Sequence, residues 1–222
     1  KHRAKALALS QFGFSFGGIL VPITIFSLET VGWRITAAGS GIIVLLVAWP
    51  LPRIIEHRPE DVGETPDGIP YQGPTLSTMG QNPTNTPAYR RADFTAREAL
   101  KTRAFWFISL GHGTSLLIIG AVMVHLILHV NGQLGYSLTA AGLVVALMTA
   151  MQIIGLVSAG LLGDRFDKRL IVTACMGFHA AGLLLLAYAH NIWMVIGFAV
   201  LHGIAWGTRG PLMQAIRADY FG

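Results

Sequence analysis

The chain has 222 residues, of which 53% are hydrophobic and only 12% are charged. Soluble domains have about 25% charged residues, and here the apolar residues fall in long blocks, so a water-soluble globule is excluded. The formal net charge of +5 would suit a nucleic-acid-binding protein. However, the Lys and Arg residues lie between the apolar blocks rather than along one polar face. The composition therefore predicts an integral membrane protein whose partner is the lipid bilayer, with no nucleic acid.

Six stretches of the chain are long and apolar enough to cross a bilayer as helices. A crossing needs about 20 mostly apolar residues, because every backbone N–H and C=O must be paired within the span itself. We number these stretches spans 1 to 6 in chain order. They cover residues 6–28, 35–51, 105–130, 138–162, 170–189 and 192–216. The sequence therefore predicts an all-α membrane protein with six transmembrane helices.

The Lys and Arg residues between the spans predict the orientation of the chain. Basic residues in short loops stay on the cytoplasmic side of a membrane. They are concentrated before span 1, between spans 2 and 3, and between spans 4 and 5, whereas the opposite loops contain only Arg34. We therefore expect both ends of the chain and its long loop to be cytoplasmic. Because the chain begins at Lys1 and ends without a polar tail, we also expect it to be an internal piece of a longer protein.

The loop of residues 53–104 differs sharply in composition from the spans. Six prolines, with Gly, Ser, Thr and Asn between them, predict a flexible cytoplasmic linker that buries too little apolar area to fold. The linker separates residues 1–52 from residues 105–222. Near its end, Thr95 and Glu98 have the spacing of a capping box, which predicts a short interfacial helix before span 3. The alternative is that Thr95 simply continues the linker, because capping-box matches also occur by chance.

A ten-residue motif joins spans 4 and 5 and reads Gly160-Leu161-Leu162-Gly163-Asp164-Arg165-Phe166-Asp167-Lys168-Arg169. Its small residues let two helices approach closely, and an acid lies among bases. The motif resembles the loop signature G-x-L-A-D-R-x-G-R-K of the major facilitator superfamily of transporters. Gly163 stands in place of the Ala and Asp167 in place of the second Gly. This looser copy of the signature is typical of the C-terminal half of such transporters.

Further phrases extend the resemblance over essentially the whole chain. The basic residues 1–8 and the Gly-rich residues 13–22 resemble the family's fifth span, and residues 218–222 resemble the phrase after its tenth. Residues 58–63 and 94–100 resemble the central loop of bacterial members near the oxalate/formate antiporters and monocarboxylate carriers. On this resemblance, spans 1 to 6 are spans five to ten of twelve, in a fold of two six-helix bundles in the bacterial inner membrane.

The resemblance implies a domain division and a mode of transport. Residues 1–52 hold the last two spans of the N-terminal half, and residues 105–222 hold the first four spans of the C-terminal half. Family members bind a small-molecule substrate near the middle of the bilayer, and the two halves rock to expose it to each side in turn. Such sliding needs small residues at helix contacts, although the G-x-x-x-G pair of Gly13 and Gly17 suits static packing equally well. The helix-packing candidates are Gly13, Gly17, Gly18 and Pro22.

Arg209 in span 6 is the candidate for a fixed charge deep within the membrane. It lies about 10 Å from the inner end of its span at 1.5 Å per residue, where an unpaired charge costs several kcal/mol. We expect it to pair with Asp164, while Arg165 and Arg217 complete an inner gate that closes when the outer face is open. The alternative is that Arg209 extends to the inner headgroups. The residues assigned to the gate and the loop motif are Gly160, Gly163, Asp164, Arg165, Lys168, Arg169 and Arg217.

In the family, the span that matches span 6 lines the substrate cavity, and the span that matches span 5 lies outside it. The resemblance therefore implies that His202, Trp206 and Arg209 lie on the transport pathway, with His112 and Gln152 as weaker candidates. Monocarboxylate carriers often have an Asp at the position of Gln152 and an Arg one turn later, and this chain lacks both. The cation for an anionic substrate would then come from Arg209 or from other spans.

The sequence thus predicts a secondary active transporter that moves a small solute by alternating access, with organic anions as the first choice. It contains no Gly-rich phosphate-binding loop that ends in Lys and Ser or Thr, so we expect an ion or solute gradient to drive transport. We predict no enzymatic activity, and no oligomeric state is indicated.

Two other classes of protein remain open. His179 and His202 fall at matched depth near mid-membrane and could hold a haem in a redox membrane subunit, although such histidines are more often neutral interior residues. The second class is a transporter-like sensor that binds solute without moving it. His125 and His129 lie one turn apart near the outer interface, where two ligands alone make no metal site, and the single Cys175 has no disulfide partner. We therefore predict no metal and no cofactor.

Overall fold

The structure is a computed structural model that describes residues 3–51 and 94–221. Every regular element in these two ranges is a helix. Most of the predicted linker, up to residue 93, lies outside the described residues. The helices are α1 (Arg3–Ser10), α2 (Phe12–Ile19), α3 (Val21–Ala48), α4 (Ala96–Leu100), α5 (Arg103–Leu128), α6 (Leu138–Leu162), α7 (Lys168–Ala187) and α8 (Ile192–Phe221), with a π-helical turn (His129–Gln133) after α5.

The chain forms two compact units. In the described part, the smaller unit comprises residues 31–51, and the larger unit comprises residues 3–30 and 94–221. The smaller unit contains most of span 2, and its apolar side chains at residues 42–47 are more than half exposed. Such exposure is expected of a helix that faces lipid, because lipid keeps apolar side chains out of contact with water. The domain division at residues 52 and 105 stays a prediction.

Spans 3 to 6 are confirmed as helices long and apolar enough to cross a membrane. α5, α6, α7 and α8 agree with the predicted bounds to within a few residues at most ends. The main difference is at the end of α8, which continues to Phe221 rather than ending at residue 216. Hydropathy does not detect this last turn, because it contains Arg217 and Asp219 while its backbone stays helical.

The predicted break between spans 1 and 2 is confirmed, but it consists of one residue and is not a loop. α3 runs through residues 29–34, and residues 4–48 form one apolar helical stretch of 45 residues. One crossing needs about 20 residues, so this stretch holds enough residues for two. Its backbone leaves the helical conformation at Gly32, with φ 80° and ψ 165°. Glycine adopts positive φ without steric cost, so one residue interrupts the helix where the loop was expected.

The capping box before span 3 is confirmed. The Thr95 hydroxyl oxygen accepts from the Glu98 N–H at 3.3 Å, and the Glu98 carboxylate accepts from the Thr95 N–H at 2.9 Å. The hydrogen bonds from the Thr95 hydroxyl and N–H hold the pKa of Glu98 below its usual value. α4 is therefore a short capped helix. A second cap follows at once, because the Thr102 side chain accepts from the Phe105 N–H at 3.2 Å and begins α5.

Glycines set the distance between α6 and α8 in the larger unit. Gly203 and Gly207, one turn apart on α8, lie directly against backbone carbonyls of α6, and Gly155 on α6 lies against the α8 backbone. A Cβ at any of the three positions would collide with backbone atoms. The Thr208 hydroxyl donates to the Gly155 carbonyl at 3.1 Å and links the two helices. The pair therefore uses the small-residue packing that is typical of membrane helices.

Span 1 packs on α6 through a different glycine from the predicted pair. A Cβ on Gly18 would collide with the side chain of Thr149, whereas a Cβ on Gly13 or Gly17 would meet open space in the described part. The G-x-x-x-G pair therefore makes no close helix contact in this structure, and Gly18 does. Pro22 lies in the first turn of α3, where its missing N–H removes no helical hydrogen bond.

Candidate functional site

The candidate site is an open cavity of about 560 Å³ in the larger unit, lined by α5, α7 and α8. Ala104, Arg169 and Tyr220 line it, which places the cavity at the end of the bundle where α5 and α7 begin and α8 ends. Arg209 projects into it from the middle of α8. The apolar part of its lining includes Phe107, Ile108, Val172, Met176, Met213 and Ile216. The cavity thus combines an apolar wall with a small number of cationic and hydroxyl groups.

Arg209 is almost completely buried, with 1% of its surface exposed. Its Nη1 lies 3.0 Å from Nδ1 of His112 on α5. An arginine can only donate, so Nδ1 of His112 is the accepting nitrogen and the ring proton is on Nε2. In the described part, Nε of Arg209 has no acceptor and no carboxylate lies within 4 Å of the guanidinium group. Arg209 is therefore a buried cation that has no counter-ion among these residues.

The predicted ion pair between Arg209 and Asp164 is not formed in this structure. Asp164 is exposed in the turn after α6, whereas the Arg209 side chain lies in the cavity between α5, α7 and α8. Of the other gate candidates, Arg165 is exposed, and Arg217 donates from Nε to the Met213 carbonyl at 3.3 Å. The sequence places Arg209 and Asp164 on one helical bundle, but it does not reveal which way each side chain points.

The turn between α6 and α7 has its own ion pairs. Asp167 caps α7 by accepting from the Arg169 N–H at 2.9 Å, and its carboxylate lies 2.8 Å from the Arg169 guanidinium. The hydrogen bonds from Arg169 hold the pKa of Asp167 below its usual value. Lys168 Nζ lies 2.8 Å from the Asp219 carboxylate, which connects the start of α7 to the end of α8. These contacts fix one end of the cavity.

The structure explains why Gly163 replaces the alanine of the family signature. Gly163 is buried, and a Cβ there would lie 2.6 Å from the Ala159 carbonyl oxygen and 3.1 Å from Cβ of Ala4. It would also collide with the side chain of Leu212. Gly160 has more room, because its nearest neighbours are atoms of Lys5 at 3.4 and 3.5 Å. The motif therefore packs α1, α6 and α8 together at this end of the larger unit.

His179 on α7 and His202 on α8 contact each other directly. Their Nδ1 atoms are 3.0 Å apart, and the residues are 2% and 0% exposed. A haem iron held by two histidines would lie between the rings, with bonds of about 2 Å to each nitrogen, and two nitrogens already in hydrogen-bond contact leave no room for it. This geometry contradicts the haem hypothesis and supports the interpretation of both residues as interior histidines. The described residues contain no group of three or more His, Cys, Asp or Glu suited to a metal.

The remaining pathway candidates lie away from the cavity. Trp206 packs edge-on against Phe14 of α2, with ring centroids 5.4 Å apart. Gln152 is buried in α6, and its Oε1 has no donor in the described part. His125 and His129 line a separate groove of about 520 Å³ at the opposite end of α5. The structure thus brings Arg209 and His112 together but not the other candidates.

Sequence reasoning missed the contact between Arg209 and His112, although a signal for it exists. On the predicted bounds, each residue lies seven positions from the inner end of its span, which is about 10 Å at 1.5 Å per residue. Equal depth on two helices of one bundle makes a contact feasible. It does not show that the two helix faces meet, and only the structure supplies that fact.

Comparison with known proteins agrees with the helical architecture and the loop motif. Residues 108–222, just over half of the chain, match the family model of the Major Facilitator Superfamily. The chain therefore belongs to this superfamily, which is a class of membrane transporters and not of enzymes.

One curated relative is a triacylglyceride transporter of Mycobacteroides abscessus, which is 28% identical over 119 residues. The matched region covers 50% of this chain and 23% of that protein, so the chain corresponds to about a quarter of the relative's length. No solved structure is significantly similar to the chain. The finer resemblance to oxalate/formate antiporters and monocarboxylate carriers stays a prediction.

Proposed function

We propose that the protein is a secondary active transporter that moves a small organic anion by alternating access, and that Arg209 binds the anion. The observation that carries this proposal is the buried guanidinium group, which has no carboxylate partner in the described part of the chain. A charge inside a membrane protein is costly unless it is paired. The neutral ring of His112 accepts one hydrogen bond but supplies no negative charge. An anionic ligand would supply it.

The chemistry of Arg209 favours a carboxylate or a similar planar anion. A guanidinium group donates two parallel hydrogen bonds to a carboxylate, and such charge-assisted pairs are about twice as strong as neutral ones. Nε of Arg209 has no acceptor among the described residues and could take part in a pair of this kind. The apolar side chains that line the cavity, such as Phe107 and Met176, suit a hydrocarbon portion of the ligand. We therefore favour an anion that also carries an apolar group.

A neutral lipid is a second candidate substrate. The curated relative is named as a triacylglyceride transporter, and the mostly apolar lining of the cavity is compatible with an acyl chain. On this alternative Arg209 would only stabilise the bundle. The two candidates differ in whether removing the charge of Arg209 stops transport.

Helix packing supports the alternating-access mechanism. The glycine contacts between α6 and α8 form one closely packed body, and α1 and α2 lie against it through side chains, such as Gln11 against Gly210 and Thr149 against Gly18. Backbone contacts resist sliding, whereas side-chain contacts can change partners. We propose that α1 and α2 move with the N-terminal half of the carrier. Asp164, Arg165 and Arg217, together with the loop motif, would form the inner gate in another state.

We propose an orientation in which the turn between α6 and α7 is cytoplasmic. α6 is long enough to cross the bilayer, so the connections at its two ends should lie on opposite sides. In full-length protein with Cys175→Ala, an impermeant maleimide added to intact cells should label Gln133→Cys. It should label Phe166→Cys only after the membrane is opened. Labelling of both variants from outside would contradict the topology.

The function is tested by uptake into proteoliposomes that contain the full-length protein. The panel comprises labelled mono- and dicarboxylates with and without alkyl chains, an organic amine and a triacylglycerol, each with an imposed ion gradient. We expect at least one carboxylate to accumulate and to be released when the gradient is collapsed. Accumulation of the amine or the triacylglycerol alone would contradict the anion proposal. Binding of a carboxylate without flux would identify a sensor instead.

A further inference from the structure

The two buried histidines, His179 and His202, form a pair whose rings are in hydrogen-bond contact. Each ring has its Nδ1 in the contact with the other ring, and each Nε2 is buried without a partner in the described part. A buried histidine that only fills space normally satisfies its second nitrogen with a carbonyl or hydroxyl group. Here neither Nε2 has such a partner in the described part, so each is available to gain or to release a proton.

The contact defines the protonation states. A hydrogen bond between two Nδ1 atoms needs one donor and one acceptor, so one ring carries its proton on Nδ1 and the other on Nε2. The first ring then has a free lone pair on Nε2. A proton added there produces one imidazolium and one imidazole that share the central hydrogen bond. If the central proton crosses to the second ring, that ring can release its Nε2 proton, so one proton enters, one leaves and no other bond changes.

We propose that His179 and His202 bind one proton between them and that this proton is the coupling ion of the carrier. The coupling rests on the proposed binding of an anion at Arg209. A histidine ring carries a proton on either nitrogen or on both, so the pair can gain and release a proton in each transport cycle without any other bond changing. The ring of Phe198, with its centroid 5.1 Å from that of His202, gives the cationic form an aromatic neighbour.

Few ionisable groups act on the pair. On α7, Cys175 lies one turn before His179, and on α5 the ring of His112 is neutral in its contact with Arg209. α6 contains no ionisable residue. On α8, Arg209 lies about two turns after His202. Arg209 is therefore the described group with a fixed charge that opposes a second positive charge on the histidine pair.

This arrangement couples the two ligands. Arg209 lies seven residues from His202, which is about 10 Å along the helix. At that distance, and with the effective dielectric constant of about 20 found in proteins, one charge changes the proton affinity of another site about tenfold. An anion bound at Arg209 cancels this repulsion, so the proton binds more tightly when the anion is present. By reciprocity, the proton also strengthens anion binding, as symport of the two requires.

The proton site is tested without any substrate by nitrogen NMR of the full-length protein in lipid nanodiscs, with 15N-labelled histidine. Wild-type protein should give a coupling across the hydrogen bond between the two Nδ1 nuclei. The same pair should gain one proton, not two, as the pH is lowered from about 9 to about 4. Loss of the signals in His179→Gln and His202→Gln assigns them. Absence of the coupling, or a pair that stays neutral over this range, would overturn the proposal.

The link to Arg209 is tested by two matched variants in the same measurement. Arg209→Met removes the charge, as a bound anion would, and should raise the pH of proton uptake by about one unit, a tenfold gain in proton affinity. Arg209→Lys keeps the charge and should titrate like the wild type. Proton uptake at the same pH in all three proteins would overturn the proposed coupling between Arg209 and the histidine pair. Thermal unfolding checks that both variants are folded. Because no anion is needed, failure of the uptake assay and failure of the proton site remain distinguishable.

Discussion

Replacement of Arg209 by methionine is expected to lower anion uptake by the full-length carrier by about a hundredfold or more, without lowering its thermal stability. Loss of one partner from a buried hydrogen-bonded charge pair costs 2–5 kcal/mol or more, and a hundredfold corresponds to nearly 3 kcal/mol. The thermal stability of the Arg209→Met protein, in contrast, should not fall. Among the described residues Arg209 is a buried charge without a counter-ion, and replacing buried charges by apolar groups of similar volume is often neutral or stabilising.

Arg209→Lys is the matched control for this prediction. Lysine keeps the charge but lacks the planar pair of donors that binds a carboxylate, so we expect an intermediate loss of uptake, about tenfold. Uptake rates and melting temperatures of the three proteins are measured in the same lipid. Normal uptake by a folded Arg209→Met protein would show that Arg209 does not bind the substrate. If the Arg209→Met protein lost both its stability and its uptake activity, the result would assign Arg209 a structural role.

The second large effect is a loss of stability, which we expect when Gly207 is replaced by alanine. A Cβ at this position would lie 2.8 Å from the carbonyl carbon and 3.0 Å from Cα of Gln152, and it would collide with the carbonyl oxygen. These atoms belong to the α6 backbone, so a rotamer change cannot relieve the collision. Gly207→Ala should therefore separate α6 from α8 and lower the free energy of unfolding by about 3 kcal/mol, at the upper end of the range for overpacking.

Gly177→Ala is the control for the glycine prediction. Gly177 also lies inside a helix, but a Cβ there would meet nothing within 4 Å. Alanine favours the helix by about 1 kcal/mol over glycine, so this variant should be as stable as the wild type or more stable. Melting temperatures in detergent report both effects. Equal melting temperatures for Gly207→Ala and Gly177→Ala would mean that α6 and α8 do not approach as closely as described here.

The sequence predicts the membrane spans well because lipid imposes a simple requirement. A span must be long, apolar and internally hydrogen-bonded, and hydropathy reports the first two of these for α5 to α8. A break between spans 1 and 2 was predicted, but its form at Gly32 was not, because hydropathy does not distinguish a loop from a helix with one residue at positive φ. The capping box at Thr95 was predicted because its chemistry is local to four residues.

The candidate site was predicted less completely, because it depends on which helix faces meet. The sequence identifies Arg209 as a buried charge that needs a partner, but the partner in this structure is His112 rather than Asp164. The same reason applies to the glycines. Gly13 and Gly17 match a packing motif but contact no neighbouring helix in the described part of the chain, whereas Gly207 was not among the predicted packing residues and lies against a backbone carbonyl. Spacing along one helix does not specify the neighbouring helix.

Solid-state NMR of the full-length carrier in membranes measures the contact between Arg209 and the anion most directly. The protein carries 15N-labelled arginine, and the bound ligand is the 13C-carboxylate that accumulates in the uptake panel. A carboxylate held by two parallel hydrogen bonds places its carbon about 4 Å from the guanidinium nitrogens. We predict this distance in wild-type protein and its loss in Arg209→Lys. A bound carboxylate that gives no contact with arginine, or the same contact in Arg209→Lys, would contradict the account.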